Sequence, residues 1–197
     1  MYRHGMKICP AFRLGVRETI PLQLGVAPFG LIFGTLAAAA GLSPWAALAM
    51  SLFVYAGSSQ FLALSLLAAG AGAPVIIFTT LIVNLRHALY GITLQAPLAD
   101  VPVWRRMVLA YFLTDETFAV VQSAAQRKVE PLEAVMLGSG LVNCSTWLIF
   151  TLLGIVLGQS VPNIANWGLE FAMVATFTGI VVPMLLSRAQ VICAIVE

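Results

Sequence analysis

The sequence predicts an all-α polytopic membrane protein of about six transmembrane helices, several of them broken, with the start of a seventh at its C-terminal end. Three observations carry this expectation. Apolar runs long enough to cross a bilayer recur along the chain, separated by short turns rich in glycine, proline and polar residues. The composition is 60% hydrophobic and only 9% charged, with a mean hydropathy of +0.97, where a soluble domain of this length needs far more polar surface. The ionisable residues that do fall inside apolar runs gather in two short clusters, Arg86-His87 and Asp115-Glu116.

Other classes are disfavoured by the same residues. A net charge of +2 with scattered basic side chains does not suggest nucleic-acid binding. Cys9, Cys144 and Cys193 lack CxxC or metal-ligand spacing and read as small hydrophobes. No small-residue cleavage site follows the basic N-terminus, so the first apolar run reads as a retained span. No Walker loop, Ser-His-Asp pattern or metal cluster is present, and neither catalysis nor a cofactor is expected.

The whole chain, residues 1–197, reads as one transmembrane domain. Residues 1–18 carry Arg3, Lys7, Arg13 and Arg17 and form a basic flank expected in the cytoplasm. The first span, residues 20–40, is interrupted by Pro28-Phe29-Gly30, where proline removes a helical donor and a kink or break is expected. Gly41-Leu42-Ser43-Pro44 makes a turn, with Ser43 placed to cap the next helix. The second span, residues 45–69, holds Tyr55-Ala56-Gly57-Ser58-Ser59-Gln60-Phe61 near its middle. Polar residues beside a glycine at that depth expose backbone groups, which is tolerated only against protein or a water-filled cavity.

The third span, residues 74–93, contains Asn84, Arg86 and His87. A linker, residues 95–105, with Pro97, Asp100 and Pro102, separates two helix groups. The fourth span, residues 107–125, has Asp115 near its centre, and the fifth, residues 132–157, carries Ser139, Asn143, Ser145 and Thr146. A polar loop over 158–168 precedes the sixth span, residues 169–186.

Lys and Arg set the orientation. With the N-terminus inside, the inner side collects Arg3, Lys7, Arg13, Arg17, Arg127, Lys128 and Arg188, and the outer side only the pair Arg105-Arg106. Trp45, Trp104 and Trp167 fall at the outer ends, as an aromatic belt places them. A faint repeat relates Leu31-Ile32-Phe33, Leu36, Gly41 and Ser43 to Leu148-Ile149-Phe150, Leu153, Gly158 and Ser160 at one constant offset. Spans one and five share a direction, so the repeat is parallel, and on that scheme a seventh helix follows Arg188. The chain reaches only Glu197, so either it is cut short or a partner completes its helical wall.

A charge near the bilayer centre costs roughly 2.5–3.5 kcal/mol on insertion scales, so each such residue is a functional candidate. Spans three and four are antiparallel, and at about 1.5 Å of rise per residue Arg86 and Asp115 differ in depth by roughly 7 Å, within reach of an extended arginine. The pair either locks two helices together or separates to meet a substrate carboxylate and an ammonium group or proton. Histidine is the side-chain type suited to proton relay near neutrality, and His87 shares a helix face with Asn84. Asp115 and Glu116 point about 100° apart, and Asp115 is expected to face the cavity, with Tyr111 one turn away as a donor. Gly57, Ser58, Ser59 and Gln60 are either a small-residue helix interface or a polar binding edge.

These motifs resemble the AzlC family. Pro21, Gly25-Val26-Ala27-Pro28-Phe29-Gly30 and Phe33-Gly34, then Ser51 with Tyr55-Ala56-Gly57-Ser58-Ser59-Gln60-Phe61, then Asn84-Leu85-Arg86-His87, then Leu113-Thr114-Asp115-Glu116, look like its successive signatures in order. The resemblance is strong from about residue 21 to 117 and continues by hydropathy beyond. It implies the large subunit of a bacterial two-component exporter of valine, leucine or isoleucine, sometimes methionine, with a small hydrophobic AzlD-type subunit. On this reading the chain lies in the cell inner membrane and is proton-coupled. Arg86, Asn84, Gly57, Ser58, Ser59, Gln60, Phe29 and Phe61 are the candidate substrate contacts, and Asp115, Glu116 and His87 the candidate proton-coupling groups. The alternative is a channel or non-transporting scaffold whose buried charges are structural.

Overall fold

The computed structural model describes residues 8–160, which form helices and turns. The sixth span, Trp167, Arg188, Cys193, Arg3 and Lys7 lie outside the described residues. Among the described residues three helical stretches are long and apolar enough to cross a membrane, Ile8–Ala39, Ala73–Gln95 and Leu132–Ser160. The second and fourth expected spans are each divided into two shorter helices.

Helices α1 (Ile8–Thr19) and α2 (Gln23–Ala39) are joined by one tighter, 3₁₀-type turn at Ile20–Leu22. Residues 8–18 are therefore helical rather than a flank ahead of the first span. Ala11, Gly15 and Thr19 recur every fourth position and bury a stripe of small residues, while Arg13 and Arg17 face outward. The irregularity also moves. Pro28 sits inside α2 on its exposed side, and the turn falls instead at Pro21, where a proline in a first helical position loses no hydrogen bond.

Helix α8 (Leu132–Ser160) is the spine on which α1 and α2 lie. Thr19 Oγ1 donates to Ser139 Oγ at 2.7 Å, Gln23 Nε2 to Asn143 Oδ1 at 3.2 Å and Thr35 Oγ1 to the Gly154 carbonyl at 3.1 Å. The partners rise together along both chains at a separation of 119–120 residues, so the helices run parallel, as alternation of spans requires. The two arms of the sequence repeat are thus side by side. Gly34 and Gly154 lie at a close approach of α2 and α8, where a Cβ on either would collide with the facing backbone at Thr151 or Leu31. Lipid supplies no hydrophobic force between helices, so close backbone packing and interhelical hydrogen bonds hold this pair.

Helix α3 (Pro44–Ala49) begins as the sequence suggests, with Ser43 Oγ accepting from the Ala46 N–H at 3.2 Å. It widens into a π-type turn at Met50–Val54 and stops at Tyr55, whose backbone is left-handed at φ 44°. Helix α4 (Gly57–Ala68) then starts afresh. This is the mid-span break that Gly57-Ser58-Ser59-Gln60 signals. Helix α5 (Ala73–Gln95) matches the third expected span within two residues at each end.

The fourth span departs from expectation. Helix α6 (Val103–Tyr111) ends, residues 112–114 are not helical, and α7 (Asp115–Gln126) begins with Thr114 Oγ1 accepting from the Thr117 N–H at 3.3 Å. Asp115 is therefore at a helix start rather than the middle of a continuous helix. A capping threonine followed by two acidic residues favours exactly such a start, and averaged hydropathy hides it. At the other end α8 continues to Ser160, so Gly158 and Gln159 are helical rather than loop.

Two apolar clusters result. Ala11, Leu109, Val121 and Val135 pack where α1, α6 and α7 meet the first half of α8, and Phe33, Ala47, Phe61 and Ile155 where α2, α3 and α4 meet its second half. Between them runs a hydrogen-bonded polar belt of Thr19, Gln23, Thr114, Thr117, Ser139 and Asn143. The candidate site opens at the level of this belt.

Candidate functional site

Both helix breaks face one space. The half-helices α4 and α7 begin at Gly57 and Asp115, and both residues line a cavity of about 430 Å³. That volume is within the roughly 300–1,000 Å³ of small-molecule sites. Val26, Phe29, Phe61 and Trp147 make its apolar side, while Ser58, Arg86, His87, Asp115, Glu116 and Asn143 make its polar side.

Arg86, carried across by α5, connects the two half-helices. Its guanidinium pairs with Asp115 Oδ2 at 2.9 Å and donates to Ser58 Oγ at 2.8 Å, while its buried Nε has no partner among the described residues. The ion pair expected from the spacing is formed. Ala56, which precedes α4, offers no side-chain cap, so the first-turn amides of α4 at Gly57 and Ser58 begin at the cavity without one. The positive end of this helix and Arg86 thus lie on the same side.

Asp115 receives a second hydrogen bond, from the Tyr90 hydroxyl at 2.6 Å, and the Tyr90 ring is stacked on Phe118 at 4.4 Å. Tyr111 is not the donor. The break at 112–114 turns it away, and its hydroxyl donates to the Leu52 carbonyl at 2.6 Å. Both carboxylates reach the cavity, Asp115 towards Arg86 and Glu116 towards Asn143 Nδ2 at 3.4 Å. His87 lines the cavity too, with Nδ1 donating to the Asn84 carbonyl at 3.1 Å.

Three of the expected contacts do not line the cavity. Ser59 Oγ donates to Asn84 Oδ1 at 2.7 Å, tying α4 to α5. Gln60 is fully buried, donating to Ser51 Oγ at 3.0 Å and accepting from Trp147 Nε1 at 3.1 Å. These side chains hold the walls in place. Phe29 and Phe61 do line the apolar side, edge to face at 6.2 Å.

Trp147, Asn143 and Tyr55 are cavity residues that the sequence reading missed. Trp147 stacks on Phe33 at 6.1 Å and 24°, and a Cβ on Gly57 would lie 2.9 Å from its Cη2. Its only signal in the sequence is position: unlike the other tryptophans it sits in mid-span rather than at an interface. Asn143 Nδ2 donates to the Tyr55 hydroxyl at 3.2 Å and to Thr114 Oγ1 at 3.0 Å, joining both breaks to α8. Among the described residues no group of three or more His, Cys, Asp or Glu could hold a metal ion.

Fold and site together define a polytopic α-helical membrane protein built around a cavity between discontinuous helices, the construction in which membrane proteins place polar ligands at mid-depth. Residues 21–161 match the family model described as AzlC protein, and the chain belongs to the AzlC family. It is 36% identical over 167 residues, 85% of this chain and 72% of the relative, to an uncharacterized membrane protein of Helicobacter pylori strain J99. It is 29% identical over 150 residues, 75% of this chain and 61% of the relative, to inner membrane protein YgaZ of Escherichia coli K12. It is 28% identical over 171 residues, 87% of this chain and 66% of the relative, to the branched-chain amino acid transport protein AzlC of Bacillus subtilis 168. No solved structure matches the chain.

Proposed function

We propose that this chain is the large subunit of a proton-coupled secondary carrier that exports valine, leucine and isoleucine, with methionine as a further substrate. It acts in the cell inner membrane, N-terminus in the cytoplasm, beside a small hydrophobic AzlD-type subunit. The observation that carries the reading is Arg86 joining the start of α4, at Ser58, to the start of α7, at Asp115, above an apolar floor. The name of the Bacillus subtilis relative supports the substrate class.

On this reading the empty carrier keeps Arg86 and Asp115 paired. A zwitterion enters that pair. Its carboxylate takes Arg86, whose Nε has no partner among the described residues, and the amides of α4, while its ammonium group takes Asp115 and Glu116. One ion pair becomes two and no net charge is added in the membrane. The aliphatic side chain lies against Phe29, Phe61 and Trp147. Protonation of Asp115 or His87 releases Arg86 and links transport to the proton gradient.

One observation favours the rival reading, a channel or scaffold: Arg86 and Asp115 pair with each other at 2.9 Å. Uptake of labelled valine into inverted vesicles carrying the chain with its small partner decides between them. Gradient-dependent uptake supports export, and a folded complex that takes up none of valine, leucine, isoleucine or methionine ends the amino acid assignment.

A further inference from the structure

The pair Arg105-Arg106, the basic feature on the otherwise charge-poor side of the topology, is not used by the site above. Its two members have different surroundings. Arg105 stacks on Trp104 at 5.2 Å and pairs with Glu133 at 3.4 Å. Arg106 has no ion-pair partner among the described residues, and its Nε is buried without a hydrogen bond. It lies at one end of a second cavity, of about 380 Å³, between α5 and α6. Gln95 is the other polar residue there, and the walls are apolar, among them Gly91, Ile92, Leu109, Leu113 and Met136.

The geometry orders these groups by depth. Gln95 ends α5 and Arg106 is in the first turn of α6, so both sit where the chain leaves the bilayer, at the level of the exposed Trp104. From there the groove follows α5 back to Ala88, seven residues or about 10 Å of rise towards the bilayer centre, and α6 on to Ala110, with Leu113 just beyond the end of that helix. Gly91 has open space where a side chain would stand, and Ile92 is two-thirds exposed, so the groove opens outward. Arg106 is partly buried, its buried Nε has no hydrogen bond and its charge has no counter-charge among the described residues, so an anion that completes it must tolerate an apolar groove beneath.

We propose that this groove binds one anionic phospholipid, its phosphate on Arg106 and Gln95 and an acyl chain along the α5–α6 walls. A phosphate and a guanidinium make paired, charge-assisted hydrogen bonds, and the chain covers the apolar surface below them. This does not depend on what the central cavity carries.

Native mass spectrometry of the full chain in detergent tests it, with phosphatidylglycerol, phosphatidylcholine of the same acyl chains, and inorganic phosphate offered separately. One phosphatidylglycerol is expected to be retained about tenfold more tightly than phosphatidylcholine, whose phosphate makes the same contact but whose choline cation offsets its charge beside Arg106. Arg106→Gln removes that preference and Arg105→Gln keeps it. Equal retention of the two lipids, retention of phosphate alone, a polypeptide bound in place of lipid, or an unchanged preference in a folded Arg106→Gln variant each overturns the assignment. If Arg106→Gln does not fold, the comparison of the two lipids on the unaltered chain decides.

Discussion

Gly57→Ala isolates the contact that sizes the apolar end of the central cavity. The added Cβ would stand 2.9 Å from Trp147 Cη2 and 3.5 Å from Cζ2 and Cζ3, so the indole must move. It has little freedom to do so. Trp147 is 6% exposed, stacked on Phe33, and its Nε1–H is held by Gln60 at 3.1 Å. Either the ring tilts into the cavity or the Gln60 hydrogen bond is lost, and overpacking of this kind costs about 1–3 kcal/mol. A pocket shortened by about one methylene discriminates by roughly tenfold or more. Competition of unlabelled leucine and valine against labelled valine uptake is the assay. Gly57→Ala is expected to weaken leucine about tenfold relative to valine, and Trp147→Phe on the same background to restore leucine, because phenylalanine lacks the outer ring. An unchanged leucine-to-valine ratio in a folded Gly57→Ala protein refutes the placement of the aliphatic side chain.

The other expected outcomes concern the polar side and the helix contacts. Arg86→Lys keeps one charge but not the fork that reaches Ser58 and Asp115 together, so valine transport falls roughly 10- to 100-fold while folding, followed by size-exclusion profile, is retained. Normal export by that variant removes arginine-specific carboxylate recognition. Thr114→Ala removes the cap of α7 and costs about 1 kcal/mol, read as a lower thermal midpoint in detergent. Gly154→Leu places a branched side chain against the Leu31 backbone and is expected to abolish recovery of monodisperse protein. By contrast, Glu18→Gln breaks the exposed pair with Arg127 at 2.7 Å and changes the midpoint little, since such surface pairs contribute about 0–1 kcal/mol.

The Arg86–Asp115 contact was legible because two charges in antiparallel apolar runs have few other places to go. The break before α4 was legible because serines and a glycine at mid-depth leave backbone groups that lipid cannot satisfy. The break before α7 was written as clearly, in Thr114-Asp115-Glu116-Thr117, yet an apolar window centred on Asp115 averages a helix start away. That one break decides the neighbours of Asp115, which is why Tyr90 rather than Tyr111 is its donor. Helix α1 escaped notice for a different reason: its buried face is made of Ala11, Gly15 and Thr19, residues that carry almost no hydropathy signal but allow close approach to α8. The inward turn of Gln60 onto Trp147 depends on how α4 is rotated against α8, and no local pattern encodes that rotation.

The central claim is that a zwitterion replaces the Arg86–Asp115 contact rather than merely lying near it. Exchange of labelled valine across vesicles holding the complex, with and without an imposed proton gradient, tests this when the unaltered protein is compared with Asp115→Asn. The folded variant is expected to lose gradient-driven uptake, with residual exchange at least tenfold slower, because one of the two carboxylates that meet the ammonium group, the one paired with Arg86, is gone. Gradient-driven uptake at the unaltered rate in folded Asp115→Asn would contradict it and leave the buried pair as a structural tie between α5 and α7.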